Sequence, residues 1–268
     1  MREVFLPRTA TENDILNHLE KHGIAVLEQY VEPSKHDQLN REFFSILEEE
    51  ERSSPRFVKK GDSRVARIGS GIDGTKYPLT ADTFTSKFMD AVAREYFSPY
   101  AYNLNRQIYL THDKNFMDFG SPWHTDPSRS LKFLLYLTDT TAENGAFMYA
   151  PGSHLEGFYR MMYYRRRGID EFPNMLPDAE VLRPTMSVEA KAGSLVIFEA
   201  AGIHKAGNVK QGSERRVIRG HTYLKTTRLG RLFRRLLLRS PFNLARYDLC
   251  EDDFVNGRFK SRATPGEY

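Results

Sequence analysis

Hydrophobic and polar residues follow two different periods along this chain. Residues 12–23 place Ile15 and Leu19 on one helical face, with Thr11 before them and Gly23 after them. Thr is a preferred residue at a helix N-cap and Gly at a helix C-terminus, so we predict a helix here. Similar arguments predict further elements: a strand at 24–31, a helix at 34–51, an irregular loop at 52–80 and a helix at 82–96.

From residue 99 onward, short β-type runs separated by turn signals replace the helical pattern. They lie at 99–111, 131–138, 146–150, 186–190, 194–200 and 216–224. Helical sequence interrupts them only at about 155–168. Several short strands without alternating helices favour an all-β core, a cupin-like jelly roll (double-stranded β-helix) with flanking helices. We predict one domain over 1–268: N-terminal helices at 10–97, the jelly-roll core at 98–225 and a basic helical tail at 226–268.

Composition narrows the classes of protein. Of the 268 residues 40% are hydrophobic, which permits a sizeable core, and the formal charge of +4 does not argue for nucleic acid. Cys250 is the single cysteine, which excludes an internal disulfide and cysteine-based zinc sites. No run approaches the roughly 20 apolar residues that span a bilayer, so we expect a cytoplasmic protein with no nucleic-acid partner.

Candidate metal ligands lie in two separate segments. His124 and Asp126 form an H-x-D pattern before a predicted strand, and side chains two apart on an extended chain share a face. His204 follows the strand at 194–200, and a jelly roll could bring it to the same place. Two imidazoles and one carboxylate are the ligands of non-haem iron(II) oxygenases. A zinc hydrolase is the rival use of these ligands, but the sequence has no HExxH helix.

An arginine near the third ligand suggests a cosubstrate. Arg215 lies eleven residues after His204 at the start of a predicted strand, where it could pair with the distal carboxylate of 2-oxoglutarate. Arg216 is the alternative, because a shift of one residue turns the side chain to the other face. Arginines at such positions are more often solvent-exposed, which is the competing interpretation.

Several sequence blocks together resemble one known family. WHTDP, LKFLLYLTDTTAENGAFMYAPGSH, GSLVIFEAAGIHKAGN and the later Arg215 are similar to the phytanoyl-CoA dioxygenase family, over roughly residues 10–225. The resemblance implies a hydroxylase that uses Fe(II), 2-oxoglutarate and O2. By the same resemblance, His124, Asp126 and His204 match the iron ligands and Arg215 matches the 2-oxoglutarate arginine.

Other residues are candidates for lining the pocket or for structural roles. Lys132 could face the cosubstrate or an anionic substrate, and Gln107 and Tyr109 share a strand face from which they could line the pocket. Each is equally well explained as a residue at the rim of the fold. Gly152 permits a tight bend in the PGSH loop, where we expect His154 to form a local hydrogen bond rather than bind metal.

A basic stripe near the C-terminus bears on partners and substrate. Arginines and leucines alternate over 228–239 with helical spacing, as in helices that lie on an anionic membrane surface. Packing of the leucines on the barrel is the competing interpretation. With membrane contact, the leading substrate is an anionic, lipid-linked sugar such as Kdo (3-deoxy-D-manno-oct-2-ulosonic acid) of lipopolysaccharide. A fatty acyl-CoA or a small metabolite is the alternative, and a non-catalytic jelly-roll binding protein or a membrane-binding module are the rival classes.

Overall fold

The computed structural model describes residues 2–69, 71–84, 87–97, 102–115, 122–126, 130–166, 175–178, 181 and 183–226. The predicted tail at 226–268, with its basic stripe at 228–239 and Cys250, lies outside them apart from its first residue.

Two β-sheets form the centre of the fold. The larger sheet has eight strands in the order β1-β2-β11-β7-β13-β5-β4-β3, and the smaller has five in the order β10-β8-β12-β6-β9. The strands are β1 (Phe5–Leu6), β2 (Ile24–Leu27), β3 (Val58–Lys60), β4 (Ser63–Gly69), β5 (Tyr102–Lys114), β6 (Trp123–His124), β7 (Ser130–Tyr136), β8 (Met148–Tyr149), β9 (Met175–Leu176), β10 (Met186–Ser187), β11 (Leu195–Glu199), β12 (His204–Lys205) and β13 (Glu214–Thr226). Two such facing sheets are the jelly roll that the strand pattern predicts.

Five α-helices accompany the sheets within the described ranges. They are α1 (Glu12–His22), α2 (His36–Ser53), α3 (Pro78–Phe84), α4 (Lys87–Tyr96) and α5 (Ser153–Arg166), with a 3₁₀ turn at Pro33–Lys35. Helix α1 begins as predicted, because Thr11 and Asp14 cap each other's backbone N–H groups, and it ends at Gly23 with φ 71°. None of the helices in the described ranges is both long and apolar enough to cross a lipid bilayer.

The central strands of the larger sheet are buried on both faces. Strand β7 shows this by alternation: Phe133 and Leu135 pack with the helices, whereas Leu134 and Tyr136 pack toward the smaller sheet. Burial of each side chain of this size stabilises the fold by about 1.5–3 kcal/mol. The helices therefore pack against one face of the sheet, and the other face forms the inner wall of the jelly roll.

The N-terminal third of the chain differs from its prediction. The segment 52–80, predicted to be a loop, contains β3, β4 and the start of α3, and the helix predicted at 82–96 is divided into α3 and α4. Strands β1 to β4 join the larger sheet, so residues 10–97 are not purely helical. The reason is that β3 lies at the sheet edge with all three side chains exposed, which removes the apolar alternation that identifies a strand.

The register of the long strands determines which side chains share the inner wall. On β13, Arg215, Val217, Arg219 and His221 alternate onto the face that carries Tyr136 of β7. Their partners on β5 are Asp113, Thr111, Tyr109 and Gln107. Residues directly opposite in an antiparallel pair point to the same side, so these side chains form successive cross-strand rows inside the jelly roll.

Candidate metal centre

Two short strands of the smaller sheet bring the candidate histidines together. His124 on β6 and His204 on β12 are direct cross-strand partners. Their ring centroids lie 4.3 Å apart. The pairing of β12 with β6 thus brings together two histidines that are 80 positions apart in sequence, as the jelly-roll prediction required.

Hydrogen bonds at Nδ1 orient both rings. Nδ1 of His124 lies 3.1 Å from the carbonyl oxygen of Pro122, and Nδ1 of His204 lies 2.8 Å from that of Gly202. A carbonyl oxygen only accepts, so Nδ1 is the protonated nitrogen in each ring. The lone pair therefore belongs to Nε2, which is how metal-binding histidines are commonly held.

A carboxylate completes the group. Asp126 Oδ1 lies 3.8 Å from His204 Nε2, while its other oxygen, Oδ2, lies 2.7 Å from Lys132 Nζ on β7. The backbone N–H of Asp126 donates to the carbonyl oxygen of Ala200, which ties the segment to the end of β11. One oxygen of Asp126 is thus fixed by a lysine, and the other faces the two imidazoles.

These three residues fit a metal ion of the iron type. The donor atoms of His124, Asp126 and His204 all lie within 4.8 Å of one another. Adjacent ligands at about 2.1 Å from one ion lie about 3 Å apart, so a small inward movement brings them onto it. Burial, and then the charge of Lys132, hold the pKa of His204 well below its ordinary value. The ring is therefore neutral, as a ligand must be.

The loop before His204 is packed too tightly to admit a larger residue. A Cβ on Gly202 would lie 1.9 Å from the hydroxyl oxygen of Tyr149, whose side chain is fully buried and donates to the carbonyl oxygen of Glu199. Ser153, from the PGSH block, accepts from the backbone N–H of Ile203 at 2.7 Å. Tyr149 on β8 and Ser153 at the start of α5 therefore set the position of His204, the third candidate ligand.

Arg215 lies on the inner wall with partners of its own. It is 7% exposed, and its Nε and one Nη donate to Asp113 Oδ2 at 3.2 and 2.7 Å. The other Nη donates to the carbonyl oxygen of Gly145, whose φ of 86° is typical of glycine. Arg216 points to the helical side, where it contacts Asn40. The register therefore distinguishes the two arginines, and Arg216 is removed from the inner wall.

The remaining predicted pocket residues are also on the inner wall. Gln107 and Tyr109 line a cavity of about 240 Å³, and the Tyr109 hydroxyl donates to Gln107 Oε1 at 2.6 Å. Lys132 is paired with Asp126 rather than turned to an open space. The competing interpretation of Lys132 as a residue at the rim of the fold is therefore wrong, because its side chain is largely buried beside the candidate ligands.

Three residues of this wall carried no recognisable signal in the sequence. His221 lies with its ring 4.7 Å from that of Tyr109 and directly opposite Lys132. Arg219 packs its guanidinium over the Tyr109 ring at 5.4 Å, and Arg67 on β4 is the cross-strand partner of Tyr109 on the other side. Only the strand register assembles them, since Arg67 and Arg219 are 152 positions apart.

Two histidines differ from their predicted settings. His112, which directly follows the strand predicted at 99–111, is buried within the longer β5 with Nε2 3.0 Å from Glu214. Burial lowers the pKa of His112 more than Glu214 raises it. His154 has a structural role as expected, but its Nε2 contacts the carbonyl oxygen of Glu20 on the distant helix α1, 3.1 Å away, and not a neighbour in sequence.

A jelly roll with two histidines and an aspartate converging on its inner wall defines the class of cupin-like metal-dependent oxygenases. The sequence profile described as phytanoyl-CoA dioxygenase matches residues 19–217. The chain belongs to the phytanoyl-CoA dioxygenase family, and it is a non-haem iron oxygenase that uses 2-oxoglutarate, with O2 as the usual cosubstrate. This assignment decides against the zinc hydrolase. No curated protein sequence matches the chain significantly.

Solved structures show the same fold. EctD from S. alaskensis with bound Fe has a TM-score of 0.56 at 14% identity, over 82% of this chain and 80% of that one. AviO1 from Streptomyces viridochromogenes Tue57 has a TM-score of 0.54 at 18% identity, over 80% and 96%. HygX from Streptomyces hygroscopicus, with nickel and 2-oxoglutarate bound, has a TM-score of 0.51 at 16% identity, over 81% and 88%. At these identities the likeness establishes the fold and leaves the substrate open.

Proposed function

We propose that His124, Asp126 and His204 hold Fe(II) and that the enzyme hydroxylates an unactivated C–H bond. The observation that carries this proposal is the convergence of the three donor atoms, with both Nε2 lone pairs left for a metal. With three protein ligands, the metal would keep coordination positions open for the cosubstrate and dioxygen. The bound iron, with 2-oxoglutarate and O2, supplies the oxidant for the C–H bond.

Arg215 is the proposed anchor for the distal carboxylate of 2-oxoglutarate. It lies on the inner wall, and Asp113 and the carbonyl oxygen of Gly145 fix the plane of its guanidinium. A guanidinium carries five N–H donors in a planar fork, a geometry that suits bidentate pairing with a carboxylate.

The pairing with Asp126 gives Lys132 a different role from cosubstrate binding. By holding Oδ2, the ammonium directs Oδ1 toward the two histidines. We therefore propose that Lys132 positions the carboxylate ligand. Gln107 and Tyr109 lie in the cavity wall, where they would contact the cosubstrate or the substrate.

For the substrate, we propose an anionic sugar, with Kdo of lipopolysaccharide as the first compound to test. The support is chemical: the cavity wall carries Arg56 and Arg67 and no acidic side chain among its described lining residues. A fatty acyl-CoA, which also bears negative charge, is the second candidate. The cytoplasmic location, the absence of a nucleic-acid partner and membrane contact through 228–239 remain predictions.

The decisive experiment supplies the purified protein with Fe(II), ascorbate, 2-oxoglutarate and O2. Succinate should form, slowly without substrate and faster with a true one, and mass spectrometry should find one added oxygen atom in the product. The control omits 2-oxoglutarate, and neither succinate nor oxygenated product should then form. Absence of succinate formation at saturating Fe(II), together with failure of 2-oxoglutarate to bind in calorimetry, would favour the non-catalytic binding protein.

A further inference from the structure

A row of cationic and aromatic side chains crosses the inner wall next to the metal centre. Arg67 on β4, Tyr109 on β5 and Arg219 on β13 are successive cross-strand partners. Neighbouring strands lie about 4.8 Å apart, so the two guanidinium stems begin about 10 Å apart, one on each side of the Tyr109 ring. The Arg219 guanidinium lies 5.4 Å from the centre of that ring.

Neither arginine of this row is in an ion pair within the described residues. Within the part of the chain that the structure describes, Arg67 and Arg219 form no ion pair or hydrogen bond through their side chains, and the Nε of Arg219 is buried without a partner. The other inner-wall cations are paired, Lys132 with Asp126 and Arg215 with Asp113. Burial, and then the charge of Arg215, lower the pKa of Arg219, and this lowering outweighs the opposite effect of Asp113.

The row connects an open cavity with the metal centre. Arg67 and Tyr109 line the cavity of about 240 Å³ together with Arg56, Gly69 and Gln107. On the inner side, the Tyr109 ring contacts that of His221, which is the cross-strand partner of Lys132. Lys132 in turn is hydrogen-bonded to Asp126. His221 and Lys132 therefore link the row, which borders the cavity, to the candidate iron ligands.

The carboxylates of 2-oxoglutarate do not account for this charge. One is required beside the keto oxygen at the metal, and the other is assigned to Arg215 in the proposed function. A guanidinium buried without a hydrogen-bond partner at Nε is costly, so the retention of Arg219 on the inner wall, beside the exposed Arg67, indicates a further anion. An anion lying over Tyr109 would be within reach of both guanidinium groups.

We propose that Arg67 and Arg219 form a second anion subsite, separate from that of 2-oxoglutarate, which binds a carboxylate or phosphate group of the substrate. The inference rests on the proposed function and deepens it. It makes the two arginines determinants of substrate specificity. A bound anion would place the adjoining carbon skeleton on the His221 side of Tyr109, toward the metal centre.

The test uses calorimetry on the full chain loaded with Ni(II), which does not support turnover, and saturated with 2-oxoglutarate. Three probes are compared. Kdo supplies a sugar carboxylate, glucose 6-phosphate supplies a sugar phosphate, and glucose is the neutral control. At least one anionic probe should bind about tenfold more tightly than glucose, because hydrogen bonds between charged groups are the strong ones. Whichever binds identifies the anion as carboxylate or phosphate.

Variants locate the binding site. Arg67→Gln and Arg219→Gln should each weaken the anionic probe by about tenfold or more, while 2-oxoglutarate binding changes less than about twofold. The matched control is Lys35→Gln, an exposed cation of the 3₁₀ turn before α2, which should leave both affinities unchanged. Circular dichroism confirms that each variant is folded.

Three results overturn the inference. The first is that neither anion binds better than glucose, and the second is that the anion binds but the Arg67 and Arg219 variants behave like Lys35→Gln. The third is that Arg219→Gln weakens 2-oxoglutarate as strongly as it weakens the probe, which would assign Arg219 to the cosubstrate. Failure of 2-oxoglutarate itself to bind the unmodified protein would instead contradict the proposed function.

Discussion

The buried pair between Arg215 and Asp113 allows the proposed cosubstrate anchor to be tested through stability. Asp113 is 1% exposed, and its Oδ2 accepts two N–H groups from Arg215. Asp113→Asn keeps the shape of the side chain but removes the negative charge that pairs with the buried guanidinium of Arg215. Breaking a buried pair costs about 3–5 kcal/mol, and asparagine retains one acceptor, so we expect a loss of about 3 kcal/mol. For a chain of this size, that lowers the Tm by about 6–12 °C.

The same variant should respond more strongly to 2-oxoglutarate. In the Ni(II)-loaded protein, the distal carboxylate of the cosubstrate would restore the counter-charge that Asp113→Asn removes. About tenfold tighter binding would add about 1.4 kcal/mol, or about 3–5 °C, to the stabilisation by saturating 2-oxoglutarate. The assay is thermal unfolding followed by circular dichroism, with and without 2-oxoglutarate.

The control is Asp62→Asn, because Asp62 is exposed and accepts a single hydrogen bond from Asn115. Its Tm should stay within about 2 °C of the unmodified protein. An unchanged Tm for Asp113→Asn would refute the structural role of the pair. An equal or smaller gain from 2-oxoglutarate in that variant would refute Arg215 as the anchor.

Three further predictions concern the scaffold. Glu42→Ala should lower the Tm by about 6–12 °C, because the buried carboxylate of Glu42 accepts the first N–H groups of α3 and such bonds are worth about 1.5–3 kcal/mol each. Gly202→Ala should weaken Ni(II) binding at least about tenfold in calorimetric titration, because its Cβ would displace Tyr149 beside the third ligand. Burial lowers the pKa of His112 in the folded protein, so on acidification this imidazole is protonated in the unfolded chain at a higher pH than in the folded one. Stability should fall below about pH 6.5, by up to about 1.4 kcal/mol per pH unit, and urea unfolding at about pH 7 and 5.5 should show a smaller loss in His112→Gln.

Each of these has a control or a contradicting result. Glu48→Ala removes an exposed glutamate from the same helix and should change the Tm by less than about 2 °C. Unaltered Ni(II) affinity in Gly202→Ala would show that the loop can adjust around Tyr149. Equal acid sensitivity with and without His112 would show that burial does not hold this ring neutral.

The sequence predicted the centre of the site because local spacing and register coincide there. An H-x-D pair on an extended segment must project to one side, and a jelly roll has few places for a histidine that follows a buried strand. Arg215 and Arg216 could not be separated in this way, because the choice depends on the pairing of β13 with β5 and β7. A shift of one residue would exchange them.

The polar row on the inner wall depends on contacts that no local pattern encodes. Arg67 belongs to a strand, β4, that the polar composition of 52–80 concealed. Arg219 was indistinguishable from an exposed arginine in an ordinary strand, and His221 had no visible partner. Their proximity follows from three strand pairings over more than 150 positions, and such tertiary contacts override local propensity.

The central claim is that His124, Asp126 and His204 together bind one iron ion, and iron content after anaerobic equilibrium dialysis tests it most directly. The unmodified protein and His18→Ala, which alters a histidine of helix α1 away from the site, should each retain about one Fe(II) per chain. His124→Ala, Asp126→Ala and His204→Ala should each retain less than about a tenth of that amount, since loss of one of three ligands weakens the site by more than tenfold. Retention of a full equivalent of iron by any of these three variants would contradict the account.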